Sequence, residues 1–283
     1  MRVDTLKVCP VRVVLAPPSG AAYSASYSAS TASYYIVSRE AYGSNYWIKS
    51  INSLTGAVSY VSGAYGRSLT TSRHGDLFVA NAAGEIWGPS GKMTDSICSG
   101  GPFVPATTLG RNLLAYGYNY PTGGTLWAIG SDGQVYGIGS AGGCWTKAEL
   151  PAGLTAYSIS INYDIPKVSG GPTIYNRPVV VVNSTNAMYD YTGSAWESFH
   201  GGSGLSTGVA EWYSKVEVIG TNQRFWHWAA ASNGFVQDAI SDGTAYIYQI
   251  VNVSPNGSLY TAEEGAFVDN YGQLWHWTDV FVS

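Results

Sequence analysis

The chain has 283 residues, of which 45% are hydrophobic and only 11% charged; glycine (35), tyrosine (22) and tryptophan (10) fill the difference. That is enough apolar material for a sizeable core, and so much glycine, without a surplus of Glu, Lys, Arg, Ala and Leu, excludes a protein built of long helices. A formal net charge of −4 offers little basic surface for phosphate, so nucleic acid is not an expected partner.

Residues 1–20 begin with Val3, Leu6, Val8, Val11 and Val13, which predict one or two short strands. Asp4, Lys7 and Arg12 break the apolar core that a secretory signal needs. No run approaches the roughly 18 apolar residues of a membrane span, so membrane insertion is not expected. We take residues 1–20 as an N-terminal strand or attachment segment and residues 21–283 as one domain.

Period-two alternation in Ala22-Tyr23-Ser24-Ala25-Ser26 makes the segment from Ala21 to Ser33 a strand in preference to a flexible linker. Next comes the first, loose copy of a hairpin: Tyr34-Tyr35-Ile36-Val37, or Tyr46-Trp47-Ile48-Lys49, before Thr55-Gly56-Ala57-Val58. Asp76 to Ala80 leads into Ala83-Gly84-Glu85-Ile86-Trp87. The clearest copy is Gly124-Thr125-Leu126-Trp127-Ala128-Ile129-Gly130-Ser131-Asp132-Gly133-Gln134-Val135-Tyr136, with Asp-Gly predicting a two-residue turn with positive φ at its central residues. Val179 to Val182 leads to Asn186-Ala187-Met188-Tyr189, where Asn takes the glycine place as the next residue most tolerant of that conformation. Phe225-Trp226-His227-Trp228 leads to Asn233-Gly234-Phe235-Val236, and Ala266-Phe267-Val268-Asp269 to Gly272-Gln273-Leu274-Trp275.

Six copies in 283 residues are one per roughly 47, a propeller period. The fold class is therefore all-β, a six-bladed β-propeller, with seven blades as the other count. Ala115-Tyr116-Gly117-Tyr118 and Ala156-Tyr157-Ser158-Ile159-Ser160 repeat the small alternating segment and are expected as innermost strands. Cys144 to Glu149 and Ala195 to Phe199 are expected as outer strands, and Asp279 to Ser283 as a last one. The N-terminal strand either closes the ring, leaving no open edge, or reaches to a partner.

The Leu126-Trp127 to Val135-Tyr136 unit, with Gly133 between, resembles the tectonin-type repeat of lectin propellers over about a dozen residues in each of roughly four units. Gly137 stands where that family often has a basic residue after the Val-Tyr pair, and the repeat here is longer. The resemblance implies sugar binding or a scaffold role. Ser131-Asp132-Gly133 is also similar to part of the sialidase Asp-box, with Tyr136 at its tryptophan position and its threonine missing.

Cys9, Cys98 and Cys144 show no C-x-x-C spacing, which gives no zinc site and fits three unpaired thiols, a single bridge staying open. Three Asn-x-Ser/Thr matches, at Asn183, Asn252 and Asn256, are expected as chance in the absence of a signal. Glu263-Glu264 is the one adjacent acidic pair, and neither paired catalytic carboxylates nor an Arg cluster stands out, so no enzyme, metal site or cofactor is expected. His227 and His276 sit in matching Trp-His-Trp strands, a pattern we assign to repeat ancestry over a shared ligand site. Trp87, Trp127, Trp226 and Trp275 recur at repeat positions and are expected as core between blades.

Aromatics outside the repeat are the expected ligand-binding residues: Tyr118, Tyr120, Tyr163, Trp212 and Tyr213, beside Asn and Asp that suit sugar hydroxyls. The expected function is non-enzymatic: a virion- or tail-associated structural or receptor-binding adhesin of a bacteriophage. Its expected partners are other virion proteins or a host-surface glycan, with a homo-oligomer in the assembly, located on the virion surface and extracellular after release. The alternative is a soluble tectonin-type lectin, and the third a propeller glycosidase.

Overall fold

The computed structural model describes residues 22–28, 30–72, 74–119, 123–139, 142–162, 177–182, 186–198, 206–212, 215–220, 225–229, 234–237, 247–250, 252–254, 264–269 and 274–278. The expected strands over 1–20 and 279–283 lie outside these residues.

The described residues form strands and turns throughout. β1 (Ala22–Ser28), β2 (Ser33–Tyr42), β3 (Asn45–Asn52) and β4 (Val58–Gly66) make the first antiparallel meander. β5 (Ser68–Thr71), β6 (Leu77–Ala80), β7 (Ile86–Gly88) and β8 (Gly91–Lys92) make the second. The third holds β9 (Leu114–Asn119), β10 (Gly123–Ile129), β11 (Val135–Gly139) and β12 (Thr146–Ala148). The fourth holds β13 (Ala156–Asn162), β14 (Arg177–Val182), β15 (Met188–Tyr191) and β16 (Trp196–Ser198). The fifth holds β17 (Ser206–Trp212), β18 (Lys215–Gly220), β19 (Phe225–Ala229) and β20 (Gly234–Gln237). After β21 (Ile247–Ile250) and β22 (Asn252–Ser254) come β23 (Glu264–Asp269) and β24 (Leu274–Thr278). β21, β23 and β24 form the last sheet, while β22 runs parallel to β1, Asn252 opposite Ser26.

Each described core lies between consecutive sheets. Val37, Ile48, Leu69 and Val79 join the first to the second. Phe78, Ala80 and Ile86 meet Leu126, Tyr136 and Trp145 of the third. Ile129 and Val135 meet Ile159, Val180 and Trp196 of the fourth. Leu274 of β24 packs among Ala22, Ala25, Tyr34, Ile36 and Ile51 of the first sheet. The first strands also touch in series: β1 on β5, β5 on β9, β9 on β13, β13 on β17, and β17 on β21 and β22. The segments expected to be small and innermost, now β1, β9 and β13, are among these. Small side chains allow that approach, as where the Ser26 hydroxyl lies 3.0 Å from the Thr71 hydroxyl in the buried contact of β1 with β5.

The hairpin turn differs from the expected one. Gly130 N–H donates to the Gln134 carbonyl and Gly133 N–H to that of Gly130, and Gly133 alone carries a positive φ, 74°. Asp132 stays at negative φ and receives the Gln134 N–H on its carboxylate. This is a type I turn closed by a left-handed glycine rather than a two-residue turn. Asn81 to Glu85 repeats it, with Gly84 at φ 75°. Asn186 takes the left-handed conformation at φ 50°, as its place in the repeat requires.

The expected inter-sheet tryptophans are only partly so. Trp127 is half-buried against the core between the third and fourth sheets. Trp87, however, is 46% exposed, its indole N–H donating to the Glu85 carboxylate at 3.1 Å. Trp226 is half-buried, and the Trp275 side chain lies outside the described part. Among the described residues the fully buried tryptophan is Trp145, with Trp196 close behind. Both flank or lie on the outermost strands, β12 and β16. Each indole N–H donates to a backbone carbonyl of the preceding sheet's outer side, Trp145 to Thr94 and Trp196 to Ala148.

Cys98 and Cys144 form a disulfide across 46 positions, which corrects the reading of three unpaired thiols. The segment after β8 runs beside the start of β12: Trp145 N–H donates to the Ser96 carbonyl and Cys98 N–H to that of Trp145. That strap between two sheets, invisible in local spacing, brings the sulfurs together.

Candidate functional site

Of the five expected ligand residues, Tyr118 and Trp212 fall among the described residues by their backbone. Tyr118 lies in β9, opposite Gly124, and Trp212 ends β17, opposite Lys215. These strands open the third and fifth sheets, with β13 in contact with both. The side chains of Tyr118 and Trp212 lie outside the described part, as do Tyr120, Tyr163 and Tyr213 altogether. Likewise β19 and β24, which carry the Trp-His-Trp segments, are each the third strand of their sheet. The fifth-sheet copy is thus registered one strand later than its expected hairpin.

The described residues hold a different aromatic group, on the first sheet. In β2, β3 and β4, Tyr42 pairs with Asn45, Trp47 with Tyr65 and Lys49 with Tyr60, so one face collects these rings. Ring centroids are 4.5 Å apart for Tyr42 and Trp47, 4.6 Å for Tyr42 and Tyr65, and 5.6 Å for Trp47 and Tyr60. Leu274 covers the inner part of the same sheet through Tyr34, Ile36 and Ile51. The outer part is open: Tyr42 is 47% exposed, Tyr60 54% and Tyr65 37%.

An ion pair sits at the edge of this face. Lys49 Nζ lies 2.6 Å from Glu40 Oε2 and 4.7 Å from the centre of the Tyr60 ring, and its side chain is buried. The Tyr60 hydroxyl donates into the Glu40 carboxylate, 2.8 and 2.9 Å from its oxygens. The Lys49 hydrogen bond, then that of Tyr60, holds the Glu40 carboxyl below the ordinary carboxylate range. Burial works against the Lys49 charge, yet Glu40 and Tyr60 outweigh it and raise its pKa. Sequence reading passed over these residues because Tyr46 to Lys49 looked like a repeat strand. The turn at Gly43, whose φ is 63°, was the signal that Tyr42 and Trp47 meet across a hairpin.

Other charged groups serve the turns. Glu85 is pulled down to about 2 by hydrogen bonds from Asn81, then Lys92 and Trp87. Asp132 accepts from the Tyr136 hydroxyl at 2.7 Å and lies 3.8 Å from Lys147. Burial, then that hydrogen bond, pushes Tyr136 up to about 12. Among the described residues no group of three or more His, Cys, Asp or Glu is placed to hold a metal ion.

No protein-family model matches the chain, and no curated protein matches it in sequence. Solved structures do. YCF48 bound to a D1 peptide aligns with a TM-score of 0.54 and 14% identity, covering 96% of this chain and 82% of that one. A chain of the mitotic checkpoint complex gives a TM-score of 0.56 at 14% identity, covering 98% of this chain and 94% of that one. These neighbours are β-propellers. At such identity the likeness shows the fold alone: an all-β chain of antiparallel sheets of the β-propeller kind.

Proposed function

We propose that this is a six-bladed, non-enzymatic β-propeller that serves as a virion- or tail-associated receptor-binding protein of a bacteriophage, taking a host-surface glycan on the aromatic face of its first sheet. Six sheets in chain order support the blade count. Closure of the ring is supported by the return of β22 to β1 and of Leu274 to the first sheet. The observation that carries the function is the half-exposed group of Tyr42, Trp47, Tyr60 and Tyr65. Such rings stack on the C–H faces of sugars, while hydroxyl and carboxylate groups at their rim take up sugar hydroxyls. The non-enzymatic part is supported by Glu40, Glu85 and Asp132, each engaged by a lysine and a neighbouring side chain.

A soluble tectonin-type lectin is the second reading, favoured by the two glycine-closed turns, Asn81 to Glu85 and Gly130 to Gln134, that carry the resemblance. Purified protein applied to immobilised host-surface polysaccharide tests both. Binding by the wild type, weakened in Trp47→Ala, is expected; undiminished binding by that variant sinks the site. Co-sedimentation with phage particles separates the virion protein from the free lectin, and release of reducing ends from the polysaccharide overturns the non-enzymatic assignment.

A further inference from the structure

We infer that the aromatic face selects uncharged saccharides and turns away sialic acids and uronates, an inference that rests on the glycan-binding reading above. Its two charges are consumed internally. The Lys49 ammonium is buried, paired with Glu40 at 2.6 Å and covered by the Tyr60 ring. The Glu40 side chain is 37% exposed, so an incoming anion meets carboxylate before it meets ammonium. Two further cations nearby are engaged elsewhere: Arg39 lies over the Tyr23 ring at 5.1 Å, Tyr23 packing into the core facing the second sheet, and Arg67 donates to the backbone carbonyls of Ser44 at 3.0 Å and Thr107 at 3.4 Å.

A neutral pyranose needs none of this charge. Tyr42 and Trp47 lie tilted at 57° to each other, and Trp47 stands edge-on to Tyr60 at 78° and to Tyr65 at 86°. The rings hold one another, so a sugar residue meets aromatic surface whose orientation is already set and costs little ordering. Exposed carboxylate oxygen beside it accepts from a sugar hydroxyl at no cost in charge repulsion.

The test is a titration of the folded full-length protein with methyl β-galactopyranoside, methyl β-glucopyranoside, N-acetylneuraminic acid and glucuronic acid, read by ligand-observed NMR. The neutral glycosides are expected to bind and the two acids not to. Trp47→Ala, and the more exposed Tyr42→Ala if the first fails to fold, are expected to weaken the neutral ligands about three- to tenfold. Glu40→Gln leaves the Lys49 charge uncompensated and is expected to improve glucuronic acid relative to the glycosides about two- to fivefold. A purely structural role for the pair does not produce that gain. Acids bound as tightly as the glycosides, or no gain in Glu40→Gln, overturn the inference while leaving glycan binding intact. Silence of the folded wild type toward all four removes the glycan-binding reading itself, and the inference with it.

Discussion

The indole N–H of Trp196 donates to the backbone carbonyl of Ala148 at 3.1 Å, across the boundary between the fourth sheet and the third. Trp145 does the same one sheet earlier, donating at 2.8 Å to the carbonyl of Thr94, just after β8. Each of these tryptophans thereby packs at the joint between sheets and donates to a backbone carbonyl on the outer side of the preceding sheet. Removing the ring opens a cavity at the joint. Trp145→Ala or Trp196→Ala is therefore expected to cost about 3–5 kcal/mol. Trp196→Phe keeps most of the volume and strands the carbonyl, for about 1–3 kcal/mol. Urea unfolding monitored by circular dichroism measures both. A cost for Trp87→Ala equal to that of Trp145→Ala would contradict the assignment, because Trp87 is exposed.

The disulfide between Cys98 and Cys144 closes a loop of 46 positions. On the chain-entropy account such a loop is worth about 4 kcal/mol. The Cys98→Ser, Cys144→Ser double variant should lose stability of that order, and the reductant that destabilises the wild type should leave it unchanged. Equal sensitivity of the two proteins to reductant would show that the bond does not form in solution.

Gly137 lies directly opposite Trp127 in the pairing of β10 with β11. A Cβ built there falls 2.8 Å from the indole ring, so the ring lies on bare backbone. Gly137→Ala is expected to lift Trp127 and cost about 1–3 kcal/mol. Gly139→Ala, two positions on with nothing within 4 Å, should be neutral or stabilise by about 0.5 kcal/mol. Intrinsic fluorescence and urea midpoints separate the two; a harmless Gly137→Ala refutes the contact.

The Glu40–Lys49 pair makes stability depend on pH at both ends. Glu40 titrates below its ordinary 4.5 in the folded state, so its contribution is complete above that value and disappears as pH falls through the lowered one. Lys49 titrates above 10.5, so its contribution is complete below that and disappears as pH rises through the raised value. The difference in urea midpoint between wild type and Glu40→Gln should be constant near neutrality and shrink in acid below about pH 4.5. Parallel profiles down to full acid unfolding would count against the pair.

Much of the strand layout was legible because its signals are local. Period-two alternation over Ala22 to Ser26 and Ala156 to Ser160, and the glycine or asparagine closing each turn, act within a few residues. Asn186 at φ 50° is the clearest instance. The turn geometry at Asp132-Gly133 was misjudged because one left-handed residue suffices where two were expected. The aromatic face was missed for another reason. Tyr42, Trp47, Tyr60 and Tyr65 come from three strands, and the register shifts between Val37 and Ala41 and between Trp47 and Lys49 decide which rings meet. Those irregularities have no repeat signature.

From its order of residues alone, then, this chain determines an all-strand architecture and a succession of hairpins, since φ preference and side-chain alternation are properties of neighbours. Tertiary structure decided which tryptophans join the sheets, which cysteines meet, and where aromatic rings stay open to solvent. Those outcomes depend on how one sheet lies against the next, bringing Thr94 to Trp145 and Ala148 to Trp196, and contacts of that reach leave no mark in any short stretch of sequence.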